Sequence, residues 1–94
     1  MRVLVNELFE DTYIAVNNCN RFSSFIGFEV STADERFFVM VNNDGTITVD
    51  MNAYHLDGVY GWKFAQRIRT TDEMKQNIYT FTTIKEANAF LKTL

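Results

Sequence analysis

Hydrophobic and polar positions alternate most regularly between residues 22 and 30. Phe22, Ser24, Ile26, Phe28 and Val30 fall on one side, and Ser23, Phe25, Gly27 and Glu29 on the other. A period of two sends successive side chains to opposite faces of a strand. The polar stretch 31–35 reads as a turn. Arg36-Phe37-Phe38-Val39-Met40-Val41 is then apolar on both faces, the pattern of a central strand covered on two sides. Asn42-Asn43-Asp44-Gly45 is the strongest local signal, because Asn, Asp and Gly tolerate the positive φ of tight hairpins. In the returning stretch 46–51, Ile47, Val49 and Met51 point inward and Thr46, Thr48 and Asp50 outward. Residues 22–51 are expected to form a three-stranded antiparallel meander.

The flanks read differently. Val5, Leu8, Phe9, Thr12, Tyr13 and Val16 keep helical spacing, yet residues 12–16 have the composition of a strand. The expectation is a strand near 12–17 preceded by a short helix or turn. Residues 52–61 read as a connection holding Tyr54, His55, Asp57, Gly58 and Tyr60. Alternation resumes with Trp62, Phe64, Gln66 and Ile68 facing one way and Lys63, Ala65, Arg67 and Arg69 the other. Residues 70–75 read as a turn or a single helical turn, and 77–82 as a further strand. Thr83-Ile84-Lys85-Glu86 has the form of a capping box. Ile84, Ala87, Phe90, Leu91 and Leu94 then make the apolar stripe of a helix over 84–94, with Lys85 and Asn88 on its outer side and Lys92 suiting the dipole at its end.

Composition supports this sheet-rich picture. Nine Phe, four Tyr and many β-branched residues stand against five Leu, a balance that fits pleated, half-buried surfaces. Ninety-four residues without a Pro-rich or Gly/Ser-rich stretch make one domain, 1–94. The class expected is α+β: an antiparallel sheet of about five strands with the C-terminal helix packed on one face. One helix covers only that face. The other is left for the N-terminal segment, a partner or a second copy, with self-association through the sheet or its edge as the working expectation.

Charge and cysteine usage narrow the setting. A single Cys rules out an internal disulfide and favours a reducing, cytoplasmic compartment. No apolar run reaches the ~18 residues of a membrane span, and the first residues turn polar too early for a signal peptide. The net charge of −3 conceals a polarity. Residues 1–62 carry three basic and nine acidic side chains, a net of −6, whereas residues 63–94 carry six and three, a net of +3.

Familiar chemistry is scarce. His55 is the only histidine, so the usual zinc ligand sets cannot be assembled, and a lone loop histidine is ordinarily a surface or packing residue. Cys19 has only Arg21 nearby to lower its pKa, as expected of an inert thiol. Acidic pairs such as Glu10-Asp11 and Asp72-Glu73 sit in turns. The scattered glycines make neither a dinucleotide nor a phosphate loop. Neither a cofactor nor a metal is expected.

One constellation remains. Lys63, Arg67 and Arg69 project from one side of a strand beside Tyr60 and Trp62, a surface able to meet an acidic protein patch or a phosphate backbone. Charges that merely solvate an outer strand face would look the same. The expected function is a small non-enzymatic protein-binding module, an accessory protein or inhibitor of the kind phages and mobile elements encode, with Tyr60, Trp62, Lys63, Arg67 and Arg69 as the partner-binding residues and a homodimer as one arrangement. The alternatives are single-stranded nucleic-acid binding by the basic strand and a small ligand binder or hydrolase centred on His55.

Overall fold

A computed structural model describes residues 6–51, 54–56, 62–64 and 77–94 of the chain. After a helical turn at residues 6–8 come β1 (Ala15–Arg21), β2 (Phe25–Ser31), β3 (Arg36–Asn42) and β4 (Ile47–Asp50). Then follow β5 (Tyr54–Leu56), β6 (Trp62–Phe64), β7 (Ile78–Phe81) and a C-terminal helix (Ile84–Leu91). Five strands make one antiparallel sheet in the order β1-β2-β3-β4-β7, and β5 and β6 pair only with each other. This is the α+β architecture expected. The stretch 52–61, read as a connection, contains β5. Of the strand read at 62–69, residues 62–64 are described as β6; the rest of it, and the turn at 70–75, lie outside the described residues.

The three turns that join β1 to β4 are fixed by local hydrogen bonds. Phe22 N–H donates to the Phe25 carbonyl at 2.8 Å, so β1 and β2 are joined by a two-residue loop, Ser23-Ser24. The alternation that began at Phe22 therefore enters the sheet only at Phe25. Between β2 and β3, the Thr32 hydroxyl accepts from the N–H groups of Asp34 and Glu35 at 3.3 and 3.1 Å. Between β3 and β4, Asn42 N–H donates to the Thr46 carbonyl at 2.9 Å and Gly45 N–H to the Asn42 carbonyl at 3.0 Å. Gly45, at φ 91°, alone takes the left-handed conformation in this turn.

The core lies on one face of the sheet. Phe28, Val30, Phe37, Val39, Ile47 and Val49 are buried there with Ala87 and Leu91 of the helix and Leu8 of the N-terminal segment. Full burial of such side chains is worth roughly 1.5–3 kcal/mol each. Thr83 caps the helix, its hydroxyl accepting from Glu86 N–H at 3.1 Å. The Glu86 carboxylate accepts from the Thr82 hydroxyl at 3.4 Å. The helix stops at Leu91, short of 94, because its last bonds tighten: Thr93 N–H donates to the Phe90 carbonyl and Leu94 N–H to the Leu91 carbonyl.

Four expectations are corrected by this packing. Asn88, placed outside by helical spacing, is buried, and its amide donates to the carbonyls of Leu8 at 3.0 Å and Glu10 at 2.9 Å. The N-terminal segment runs along that flank of the helix and hides it. It consequently shares the helix-covered face, with Phe9 edge-on to Phe28 at 5.7 Å, and does not take up the opposite one. Asp50, expected outward into water, is 92% buried on that opposite face. Finally, the N-terminal strand begins at Ala15 rather than 12: Asp11, at φ 55°, ends the helical turn, and the Thr12 hydroxyl donates to the Phe9 carbonyl at 2.8 Å.

On the second face, Glu29, Phe38, Asp50 and Ile78 lie in one row and Gly27, Met40, Thr48 and Thr80 in the next. The Phe38 ring lies over Gly27, diagonal to it across the strands, so closely that a Cβ there would collide with it. Gly27→Ala should therefore destabilise the chain by about 1–3 kcal/mol. Chemical denaturation should show much of that loss recovered when Phe38→Leu is added. Asn88→Ala, which strands two carbonyls, should cost about 1–3 kcal/mol and lower Tm by roughly 5–20 °C in calorimetry.

Candidate partner-binding surface

β1 is unlike every other strand of the sheet, since all seven of its residues are exposed. Its composition explains this. Asn17-Asn18-Cys19-Asn20-Arg21 has no large apolar side chain to bury on either face, so the strand can sit only at an edge. Around it stand exposed apolar side chains: Tyr13 (88% exposed) just before it, Val16 (39%) within it and Phe22 (47%) just after it. Ile78 and Tyr79, both on β7, complete the large exposed apolar residues among those described. The Tyr79 ring leans on Phe90, with centroids 4.8 Å apart.

Phe22 is held in place by its neighbours. Its ring stacks on Phe25 at 4.7 Å, and Phe25 meets Phe38 edge-on at 6.4 Å. The loop between Phe22 and Phe25 is tied to the neighbouring turn. Asn43 donates from its backbone to the Ser24 carbonyl at 3.0 Å and from its side chain to the Ser23 carbonyl at 2.8 Å. That turn is braced by Asp44, whose carboxylate accepts from the Thr46 hydroxyl at 2.6 Å and from Thr46 N–H at 2.9 Å. These bonds, the hydroxyl's first, hold the Asp44 pKa below its ordinary value. Opposite to what its Asn-Asp-Gly composition suggests, Asn42 needs no positive φ; its amide instead donates to the Thr46 and Thr48 hydroxyls, both at 3.0 Å.

Of the residues predicted to bind a partner, Trp62 and Lys63 lie on β6, where the backbone register sets them opposite Leu56 and His55 of β5. His55 thus belongs to a strand rather than a loop. Tyr60, Arg67 and Arg69 lie outside the described residues. Cys19 is exposed on β1. Glu7, Glu10, Ile84, Lys85 and Asn88 line a shallow, open depression between the N-terminal segment and the helix. Among the described residues no group of His, Cys, Asp or Glu is arranged to hold a metal ion. No described helix is long and apolar enough to cross a membrane.

The exposed flank of β1 is the feature that sequence reading missed. Tyr13 and Val16 fall within the strand expected near 12–17, but nothing in that expectation marks them as exposed. The signal that locates them is the run of five small or polar residues behind them, which no buried strand could carry.

Compared with protein-family models, with curated proteins and with solved structures, the chain has no significant match.

Because the Asp44 pKa is depressed in the folded chain, its carboxylate stabilises the fold above the ordinary aspartate range. That contribution falls away as the pH drops below about 4 and the group is protonated. Melting curves between pH 5 and 2.5 should show a smaller loss of Tm for Asp44→Ala than for the unchanged chain, with Asp44→Ala already less stable at pH 5.

Proposed function

We propose that this chain is a non-enzymatic protein-binding module, an accessory or inhibitory protein that docks a protein partner along β1. One observation carries the reading: Tyr13, Val16 and Phe22 stand exposed before, within and after a fully exposed strand that bears no carboxylate. Aromatic side chains anchored on a rigid sheet supply contact area at low entropic cost, which is how interface anchors work. Phe22, stacked on Phe25 and fixed by the Asn43 ties, is such an anchor. β1 is a carboxylate-free strand within the acidic stretch 1–62, whose described carboxylates stand at residues 7–11, on β2, in the 32–35 and 43–45 turns and on β4.

A photo-crosslinking phenylalanine analogue placed at Phe22 tests this. In cells it should capture a discrete protein adduct that the same analogue at the exposed Lys85 does not. Tyr13→Ser in the same chain should weaken the captured complex by at least about tenfold, the scale of a single interface anchor. Equal labelling at positions 22 and 85 would overturn the assignment.

A further inference from the structure

An exposed edge strand is a template for pairing with another strand, and proteins commonly guard such edges with charge. β1 carries one charged residue, Arg21. Its guard has to be something else.

The hydrogen-bond pattern identifies it. Phe22 and Phe25 form a bonded pair, and bonded and non-bonded pairs alternate along an antiparallel ladder. Asn20, opposite Gly27, therefore bonds inward to β2, whereas Cys19 and Arg21, opposite Phe28 and Ile26, turn their backbone N–H and C=O groups to the open edge. The Cys19 N–H is already taken. It donates to the side-chain oxygen of Asn18 at 2.9 Å. Immediately before it, the register slips between Val16 and Asn18, a bulge whose extra residue, Asn17, donates from its amide to the Ser31 hydroxyl at 2.9 Å. The edge is bent at Asn17 and stripped of a donor at Cys19, within three consecutive residues.

We propose that Asn18 is a guard that keeps β1 from pairing with β1 of a second copy of the chain, by occupying the backbone donor such pairing needs. In an antiparallel pair centred on this stretch each copy offers its Cys19 N–H, so release of both guards frees two hydrogen bonds per dimer. At about 0.5–1.5 kcal/mol net for each bond, removing the guard should tighten self-association by roughly five- to a hundredfold. This goes beyond the partner-binding role and holds whatever partner β1 receives.

The test uses Asn18→Ala, Asn18→Val and Asn18→Asp, with only the last retaining an acceptor. Asn18 is exposed, and thermal melting will show whether each variant remains folded. Sedimentation over a hundredfold concentration range should show the Ala and Val variants dimerising at lower concentration than the unchanged chain, and the Asp variant resembling it. Mild oxidation with diamide supplies a second readout. Cys19, the chain's only cysteine, lies at the pairing edge, so Cys19–Cys19 disulfide dimers should accumulate faster in the Ala and Val variants. Unchanged self-association and unchanged crosslinking in both variants would overturn the proposal, as would equal dimerisation by the Asp variant.

Discussion

The buried amide of Asn88 is the contact on which the arrangement depends. A five-stranded sheet with one short helix leaves half of its apolar face uncovered. The helix lies over the β4 and β7 side, where Phe90 meets Tyr79 and Phe81. The N-terminal segment supplies the other half of the cover, bringing Leu8 into the core and Phe9 onto Phe28. Residues 9–14 of that segment belong to neither helix nor strand. Its backbone carbonyls at Leu8 and Glu10 need partners once they are drawn against the helix, and Asn88 provides both. Two short pieces thereby act as one layer.

The two faces of the sheet solve the packing problem differently. The covered face is built from β-branched residues, two phenylalanines and helix side chains. The opposite face is built from a few large rings over small residues. Phe38 fills the space that Gly27 leaves, Phe25 abuts Phe38, and Phe22 stacks on Phe25. This chain of rings ends at the β1 hairpin, where the polar ties of Asn43 take over. The placement of an exposed aromatic at the rim is thus a product of interior packing, which makes Phe22 a rigid feature of the surface.

Much of the fold was legible because it rests on local patterns. Alternation located β2 and β4, a run apolar on both faces located β3, the Asn-Asn-Asp-Gly run located the hairpin between β3 and β4, and Thr83 with Glu86 marked the start of the helix. What escaped the sequence was set by contacts between distant segments. Asn88 sits on the polar side of the helical stripe and is buried only because another part of the chain lies across it. Asp50 alternates correctly with Val49, yet it is buried where it meets the second face. The short strand β5 hid in a stretch with turn-forming residues, since three residues are too few to show a period. The candidate surface was the least legible, because exposure at β1 is a matter of what fails to pack against it.

The tie between Asn88 and the Leu8 and Glu10 carbonyls also bears on the order of events during synthesis. Its partners are separated by 80 and 78 residues. The meander is made of neighbouring strands and can assemble while the chain is still growing. Its apolar face, however, stays without its full cover until residues 84–91 have emerged. Until that cover arrives, the meander presents a wet apolar face, and exposed apolar surface of this kind invites aggregation or a chaperone. Docking of the helix and of the N-terminal segment, joined through Asn88, ends that exposure.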